Sequence, residues 1–419
     1  MSKSTVTKSG TELPARAGLR RSVSLPLVTL YGLGTTIGAG IYVLVGATAA
    51  KAGLYAPLAF LIAAFVISFS AASFAELSGR FPVSAGEAAY VREGFGAGLL
   101  PLAVGLIVAA SGIVSSAALV KGGAGYLTAL IDLPVIVFVA VLPFLLGALA
   151  MWGIAESLKA AALLTLVEVG GLMIVIGGGG GAAVDTLADP SFVLPPFDAD
   201  AVAGVIAAGL LAFFAFIGFE DIVNIAEEVK EPRRTLPWAI ALTLLLTVVF
   251  YLLVSGIAVL TVPLGDLAEA PAPLALVLER SAGISGRMIA VIAVAAVLNG
   301  VLIQMVMASR VIYGLARMGN LPAAIGVVNP VTRTPVRATV LVTAIILFLA
   351  LAVPLTRLAE TTSTLILIVF SIVNLALWRI KIKDTQPVEG FTVPRWLPLV
   401  GFCVSVLFLL ADLARRLIY

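Results

Sequence analysis

The chain has 419 residues, of which 61% are hydrophobic and 12% charged, and its mean hydropathy is +1.15. Soluble domains carry about 25% charged residues, so this composition excludes an ordinary soluble protein and points to an all-α integral membrane protein. The net charge of +3 comes from loop lysines and arginines and is no sign of a nucleic-acid partner; the single cysteine, Cys403, excludes an intrachain disulfide, and without histidine any proton chemistry falls to carboxylates, lysine or tyrosine.

Residues 1–24 are polar and basic and lack a signal peptide's apolar core and cleavage site, so they are expected to form a cytoplasmic tail. Eleven apolar segments follow, at 26–50, 54–78, 97–120, 133–152, 156–182, 201–226, 236–262, 286–316, 337–356, 358–379 and 397–417. With the N-terminus inside, nineteen of the 26 basic residues fall on inner loops and seven outside. The odd number of spans places the C-terminus outside.

The first span carries "TTIGAGIY", with Gly32, Gly34, Gly38 and Gly40 in one apolar run. Each interior glycine costs roughly 1 kcal/mol of helix stability. Either another helix packs closely there, or the helix breaks. The third span offers Ser111 and Ser115, which are spaced i, i+4 and share a face. They are candidates for the lining of a pocket, although serine in membrane helices commonly bonds its own backbone.

The fifth span contains Glu168 in "TLVEVGGL", and an ionisable residue deep in a span is a functional hypothesis by default. The loop 184–200 has four aspartates and no basic residue, which fits the outer side. The sixth span contains "FFAFIGFEDIVN", where Ile217-Gly218 lies at the depth of Ile37-Gly38 in the first. Glu220 follows this second interruption and is read as either a brace for the break or a gate. Asn299 and Gln304 are weaker candidates in the eighth span. Glu76, Glu227, Glu228, Arg233 and Arg234 are expected near the inner surface, as gate ion pairs or solvated charges. Pro354 to Glu360 make the turn that divides 337–379 into two spans.

Two matched interruptions five spans apart give a 5 + 5 layout with one extra span. Residues 25–183 form the first five-helix repeat and 201–380 the second. Residues 381–419 add a loop and a C-terminal helix. The two repeats enter from opposite sides and are inverted, and glycine-interrupted spans in matching positions are the best pointer to a transporter's central site.

The motifs carry a family resemblance. "GLGTTIGAGIYVLVG" followed by "FAELSGRFPVSAGEAAYV", then "FFAFIGFEDIVNIAEEVKEPRRTLPWAI", then "LNGVLIQMVMASRVIYGLARMGNLP" with "NPVTRTPVRAT", resemble the first two, sixth and eighth spans of amino acid–polyamine–organocation permeases. The likeness covers about residues 20–419 and is strongest to bacterial members related to cationic amino acid transporters. It implies a LeuT-like fold with discontinuous first and sixth helices. It also implies secondary active transport of amino acids by alternating access in the inner membrane, by symport or exchange. Many members have twelve spans, and this chain is one short. No cofactor is implied beyond a coupling ion, H+ or Na+, and the partners are the amino acid or a related amine and the membrane lipid.

A broken helix leaves N–H groups and carbonyls without partners inside the membrane. Free N–H groups favour a carboxylate and free carbonyls an ammonium, and an α-amino acid carries both. Gly38, Ala39 and Gly40, next to Ile37, are therefore expected to hold the carboxylate, with the Thr36, Phe214 and Ile217 carbonyls on the amine. Matching the family's motifs residue by residue gives the same set. The family often uses an aromatic as a gate, which nominates Phe216 and Phe219, flanking Gly218; ordinary core packing is the alternative.

Many proton-coupled relatives carry a lysine at the position of Glu168, in an alignment anchored on Glu156-Ser157. The glutamate leaves three choices: it carries the proton, it ligates sodium, or it pairs with a cationic substrate or a buried arginine. A static ion pair or hydrogen bond is the non-functional alternative. Glu168 also leaves open an amine or polyamine carrier. A receptor-like protein on the same scaffold is a third reading, and with no nucleotide loop, metal cluster or histidine an enzyme is not indicated.

Overall fold

The computed structural model describes residues 21–38, 40–82, 86–152, 158–317, 321–332, 334–384 and 389–418, with the main chain alone for 158–160, 317 and 415–418. In a bilayer each backbone N–H and C=O must find its partner inside the segment, so apolar runs become helices. The helices are α1 (Leu25–Ile37), α2 (Gly40–Ala52), α3 (Ala56–Arg80), α4 (Gly86–Phe95), α5 (Leu99–Thr128), α6 (Val135–Trp152), α7 (Leu158–Ala188), α8 (Ala199–Phe216), α9 (Pro232–Thr261), α10 (Leu264–Glu269), α11 (Pro273–Ala282), α12 (Arg287–Arg317), α13 (Val336–Ala352), α14 (Leu355–Lys383) and α15 (Trp396–Ile418). A 3-10 segment, Phe219–Glu228, continues α8. Among the described residues there is no strand, only an isolated parallel bridge between Val23 and Val229.

Nine stretches among the described residues are long and apolar enough to cross a membrane, and the first, Leu25–Arg80, is 56 residues long and holds α1, α2 and α3. Taking α1 with α2 as one crossing and α3 as the next, and adding the shorter apolar helix α13, gives the expected eleven. The chain is a multi-pass helical membrane protein. Pro354 caps α14 two residues after α13 ends, so 337–379 does divide there.

Both interruptions are present. α1 stops at Ile37, and Gly38, at φ 10° and ψ −125°, turns the chain before α2 begins at Gly40. α8 stops at Phe216, Ile217 is extended, and Gly218 takes φ 125° before the 3-10 segment. That φ favours glycine, and a Cβ on Gly218 would run into the Thr35 carbonyl.

Three helices were not expected from the sequence. α4 follows α3, and α10 and α11 lie between α9 and α12. In α11, Leu274, Val277 and Leu278 are buried at helical spacing behind Pro273 at the start. α7 also runs to Ala188, five residues past the expected end of the first repeat.

Packing sets the site. α2 lies along α8, α1 sits against both α7 and α9, and α12 and α14 cover α5. One core gathers around α1, α3, α9 and the 3-10 segment, a second around α5, α6, α12 and α13.

Candidate functional site

The two interruptions meet. The Thr35 hydroxyl lies 2.8 Å from the Gly218 carbonyl, joining the end of α1 to the break after α8. The Tyr251 hydroxyl of α9 lies 2.9 Å from the Thr36 carbonyl and 2.6 Å from the Ala215 carbonyl, so one O–H faces an acceptor from each broken span. Glu220 accepts from the Gly218 N–H at 2.8 Å and is buried. It braces the second break from within. A Cβ at Gly40 would stand 2.7 Å from the Ala215 Cα. The glycine is what lets α2 and α8 approach this closely.

A cavity of about 30 Å³ opens between the breaks, room for one or two waters. It is lined by Thr35, Thr36, Gly38 and Gly40 from the first span, Ser115 and Leu119 from α5, Phe214, Ile217 and Asp221 from the sixth span, and Gly300, Ile303 and Gln304 from α12. The first N–H groups of α2 have no partner within the helix, so the wall at Gly40 is suited to an anion. Thr36 of the first span and Phe214 and Ile217 of the sixth line the cavity as well.

Beyond the cavity, a tyrosine chain ties the scaffold to these breaks. Tyr126 donates to the Tyr42 carbonyl at 2.8 Å, and Tyr42 donates to the Glu168 carbonyl at 2.7 Å. At the far end of α2, Lys51 pairs with the buried Glu360 of α14 at 2.8 Å, and Arg357 approaches the same carboxylate at 3.7 Å. At the opposite end, buried Glu76 of α3 pairs with Lys381 at 2.6 Å and Arg80 at 2.6 Å, and accepts from the Val393 N–H at 2.7 Å.

The amino acid permease family model matches residues 24–414. The chain belongs to this family. Relatives include the vacuolar cationic amino acid transporter 2 of Arabidopsis thaliana, 32% identical over 89% of this chain and 62% of the relative. The branched-chain amino acid permease BcaP of Bacillus subtilis is 29% identical over 94% of this chain and 88% of its own. The methylthioribose transporter of the same bacterium is 26% identical over 93% and 88%. The chain thus spans less than two thirds of the Arabidopsis relative's length and most of the two bacterial ones.

In this amino acid permease family member, Thr36, Gly38, Gly40, Ser115, Phe214 and Ile217 come together around the cavity, as expected from the sequence. Ala39, Glu156 and Ser157 lie outside the described residues. Ile37 is fully buried in the core at the turn. Ser111 bonds its own helix, at 2.8 Å from the Val108 carbonyl, and does not line the cavity. Two of the three carbonyls expected to take an amine are already engaged: Thr36's accepts from Tyr251 and Phe214's from the Ile217 N–H at 3.1 Å.

The aromatic pair lies away from the cavity lining. Phe216 packs on Tyr251 with ring centres 4.8 Å apart, and Phe219 packs on Phe74 and Phe370. Both are fully buried, the core-packing alternative. Asn299 is half-buried beside the lining residue Gly300. Glu168 is 1% exposed, and neither carboxyl oxygen has a hydrogen-bond partner among the described residues. The non-functional alternative, a static ion pair or hydrogen bond of its carboxylate, is not found among the described residues. Of the charges expected near the inner surface, Glu76 is paired as described and Arg233 pairs with Glu389 at 2.8 Å. Sequence reasoning missed Tyr251, whose only signal was a tyrosine in the apolar run "VVFYLLVSG".

Proposed function

We propose that this chain is a secondary active transporter of amino acids that works by alternating access in the plasma membrane, with its N-terminus in the cytoplasm. The observation that carries the reading is the cavity at the meeting of the two breaks. The start of α2 at Gly40 and the Ile217 turn of the sixth span both line it, and a helix start suits a carboxylate while a broken span's carbonyl suits an ammonium. The names of the relatives support the same substrate class. The 5 + 5 inverted layout, with residues 25–183 and 201–380 as repeats and 381–419 as an addition, is supported by two breaks five crossings apart. At about 30 Å³ the cavity is closed around less than a side chain, so loading the substrate involves opening it.

Coupling is assigned to protons, with Glu168 as the carrier. A charged carboxylate left unpaired in an apolar interior is very costly, so Glu168 holds a proton or a cation. Its unpartnered oxygens also support the second reading, an amine carrier in which Glu168 faces the extra cationic group.

The test is uptake and counterflow of labelled amino acids in proteoliposomes. The Gly40→Leu variant is expected to lose substrate binding, because the side chain would occupy both the α8 contact and the N–H wall; normal binding in it would overturn the site. Glu168→Gln is expected to keep counterflow and lose uptake driven by a pH gradient. If the wild type instead follows a sodium gradient, proton coupling is wrong. A competition panel in which polyamines displace amino acids would favour the amine reading.

A further inference from the structure

The broken spans supply one part of the cavity wall, and α5 and α12 supply the rest, with Ser115 and Leu119 from α5 and Gly300, Ile303 and Gln304 from α12. These two helices pack along each other. A Cβ on Gly112 would stand 2.9 Å from the Gln304 Oε1, one on Gly300 would stand 3.1 Å from Leu119, and one on Gly123 would run into Val297. Rising positions on α5 therefore face falling positions on α12, and the helices are antiparallel. Ser115 lies between Gly112 and Leu119 on α5, which sets it level with Ile303 and Gln304. The register and the cavity lining agree on this.

Both polar side chains on this wall are uncommitted. Ser111 donates to the Val108 carbonyl and Ser116 to the Gly112 carbonyl, each at 2.8 Å. That is the usual bond of a serine in a membrane helix. Ser115 makes no such bond among the described residues, and neither does the half-buried Gln304 carboxamide. Gly112 leaves the room in which the carboxamide lies against α5. Apolar contacts bound the polar window on both sides, with Met307 on Gly112 and Leu119 on Gly300, which favours a short occupant.

Polar groups facing a cavity inside a membrane protein are satisfied by water or by a ligand. A hydroxyl and a carboxamide each donate and accept, and neither is charged. Their complement is a neutral group that also donates and accepts. With the carboxylate and the amine held at the breaks, the part of an amino acid that falls on the α5–α12 wall is its side chain. Asp221, the acid on the lining, belongs to the sixth span and has Asn224 at 3.3 Å.

We propose that Ser115 and Gln304 form the side-chain subsite of this cavity, and that it selects short hydroxyl amino acids, serine and threonine, over their apolar isosteres. The proposal rests on the reading of the cavity as the amino acid site. Threonine and valine differ by one hydroxyl in place of one methyl. Valine would leave Ser115 and Gln304 facing an apolar group with the water displaced, and a site that bonds a substrate hydroxyl rejects the analogue lacking it.

The experiment is counterflow of labelled threonine, valine and lysine by the full chain in proteoliposomes, compared as kcat/KM. Wild type is expected to favour threonine at least tenfold over each of the other two. Ser115→Ala and Gln304→Met, made separately and checked for folding by melting and gel filtration, are each expected to bring the threonine-to-valine ratio to within threefold of one, through KM. A wild-type ratio near one, a preference for lysine, or an unchanged ratio in either folded variant overturns the subsite and leaves the cavity as an amino acid site. Counterflow of none of the three by folded wild-type protein overturns the amino acid reading, and the subsite with it.

Discussion

At the residue scale, the glycines separate into kinds that substitution distinguishes. Gly40 meets the Ala215 backbone, Gly218 has φ 125°, and Gly177 has nothing within 4 Å of its would-be Cβ. Overpacking costs roughly 1–3 kcal/mol, and a non-glycine residue in a disfavoured conformation costs about as much. Gly177→Ala in α7 is instead expected to stabilise by up to about 1 kcal/mol. Thermal melting in detergent should therefore fall for Gly40→Ala and Gly218→Ala and hold or rise for Gly177→Ala; a common shift in all three would contradict the contacts. Tyr251 makes a similar test without changing volume much. Tyr251→Phe removes the donor shared by the Thr36 and Ala215 carbonyls, and an unsatisfied buried acceptor costs about 1–3 kcal/mol. Substrate affinity is expected to fall by tenfold or more with helix content unchanged. Calorimetric titration with substrate measures it, and wild-type affinity would remove Tyr251 from the site.

At the element scale, charges join helices that apolar packing alone would let slide. Glu76 sits at 0% exposure between Arg80 of its own helix, Lys381 of α14 and the main chain before α15. Removing one partner of a buried pair typically costs 3–5 kcal/mol, because the other charge is left uncompensated, while an apolar replacement of the whole pair is often close to neutral. Glu76→Gln is expected to lower the melting midpoint strongly, and adding Lys381→Met to recover most of it. An additive double variant would mean that the two residues act separately. The short helix α4 carries a different signature. Burial pushes the Glu87 carboxyl above its ordinary value, with its own backbone N–H opposing. A carboxyl raised in the folded state contributes stability below its unfolded value of 4.5 and loses that contribution as pH rises through the folded value. Wild-type stability should thus decline with pH above the unfolded value in a way that Glu87→Gln does not, as read by melting from pH 5 to pH 8. Parallel pH curves for the two proteins would exclude this source.

At the scale of the whole molecule, the features legible in the sequence were those that depend on local chemistry. Apolar runs set the crossings, Pro354 set the turn between α13 and α14, and Gly38 and Gly218 set the two breaks, because each acts on its own few residues. Contacts across hundreds of positions left no local mark. Tyr251 serves carbonyls at positions 36 and 215, and Lys381 serves Glu76, so each reads in sequence as a stray polar group in an apolar run. Phe216 and Phe219 flank the break in sequence but face helices of the core, since rings beside a glycine pack wherever the helix turns them. One long-range link carries a further prediction. Val23, just before α1, and Val229, just after the 3-10 segment, pair as a bridge, with the Val23 N–H on the Glu228 carbonyl at 3.0 Å and the Lys230 N–H on the Val23 carbonyl at 2.9 Å. The Thr35 hydroxyl ties the other end of α1 to Gly218. Bonded at both ends, α1 and the 3-10 segment are expected to move as one body when the site opens on that side. Cysteines at Val23 and Val229, in a Cys403→Ser background, should therefore cross-link without loss of counterflow. If the cross-link stops transport and reduction restores it, the two segments separate during the cycle and the pairing belongs to one state alone.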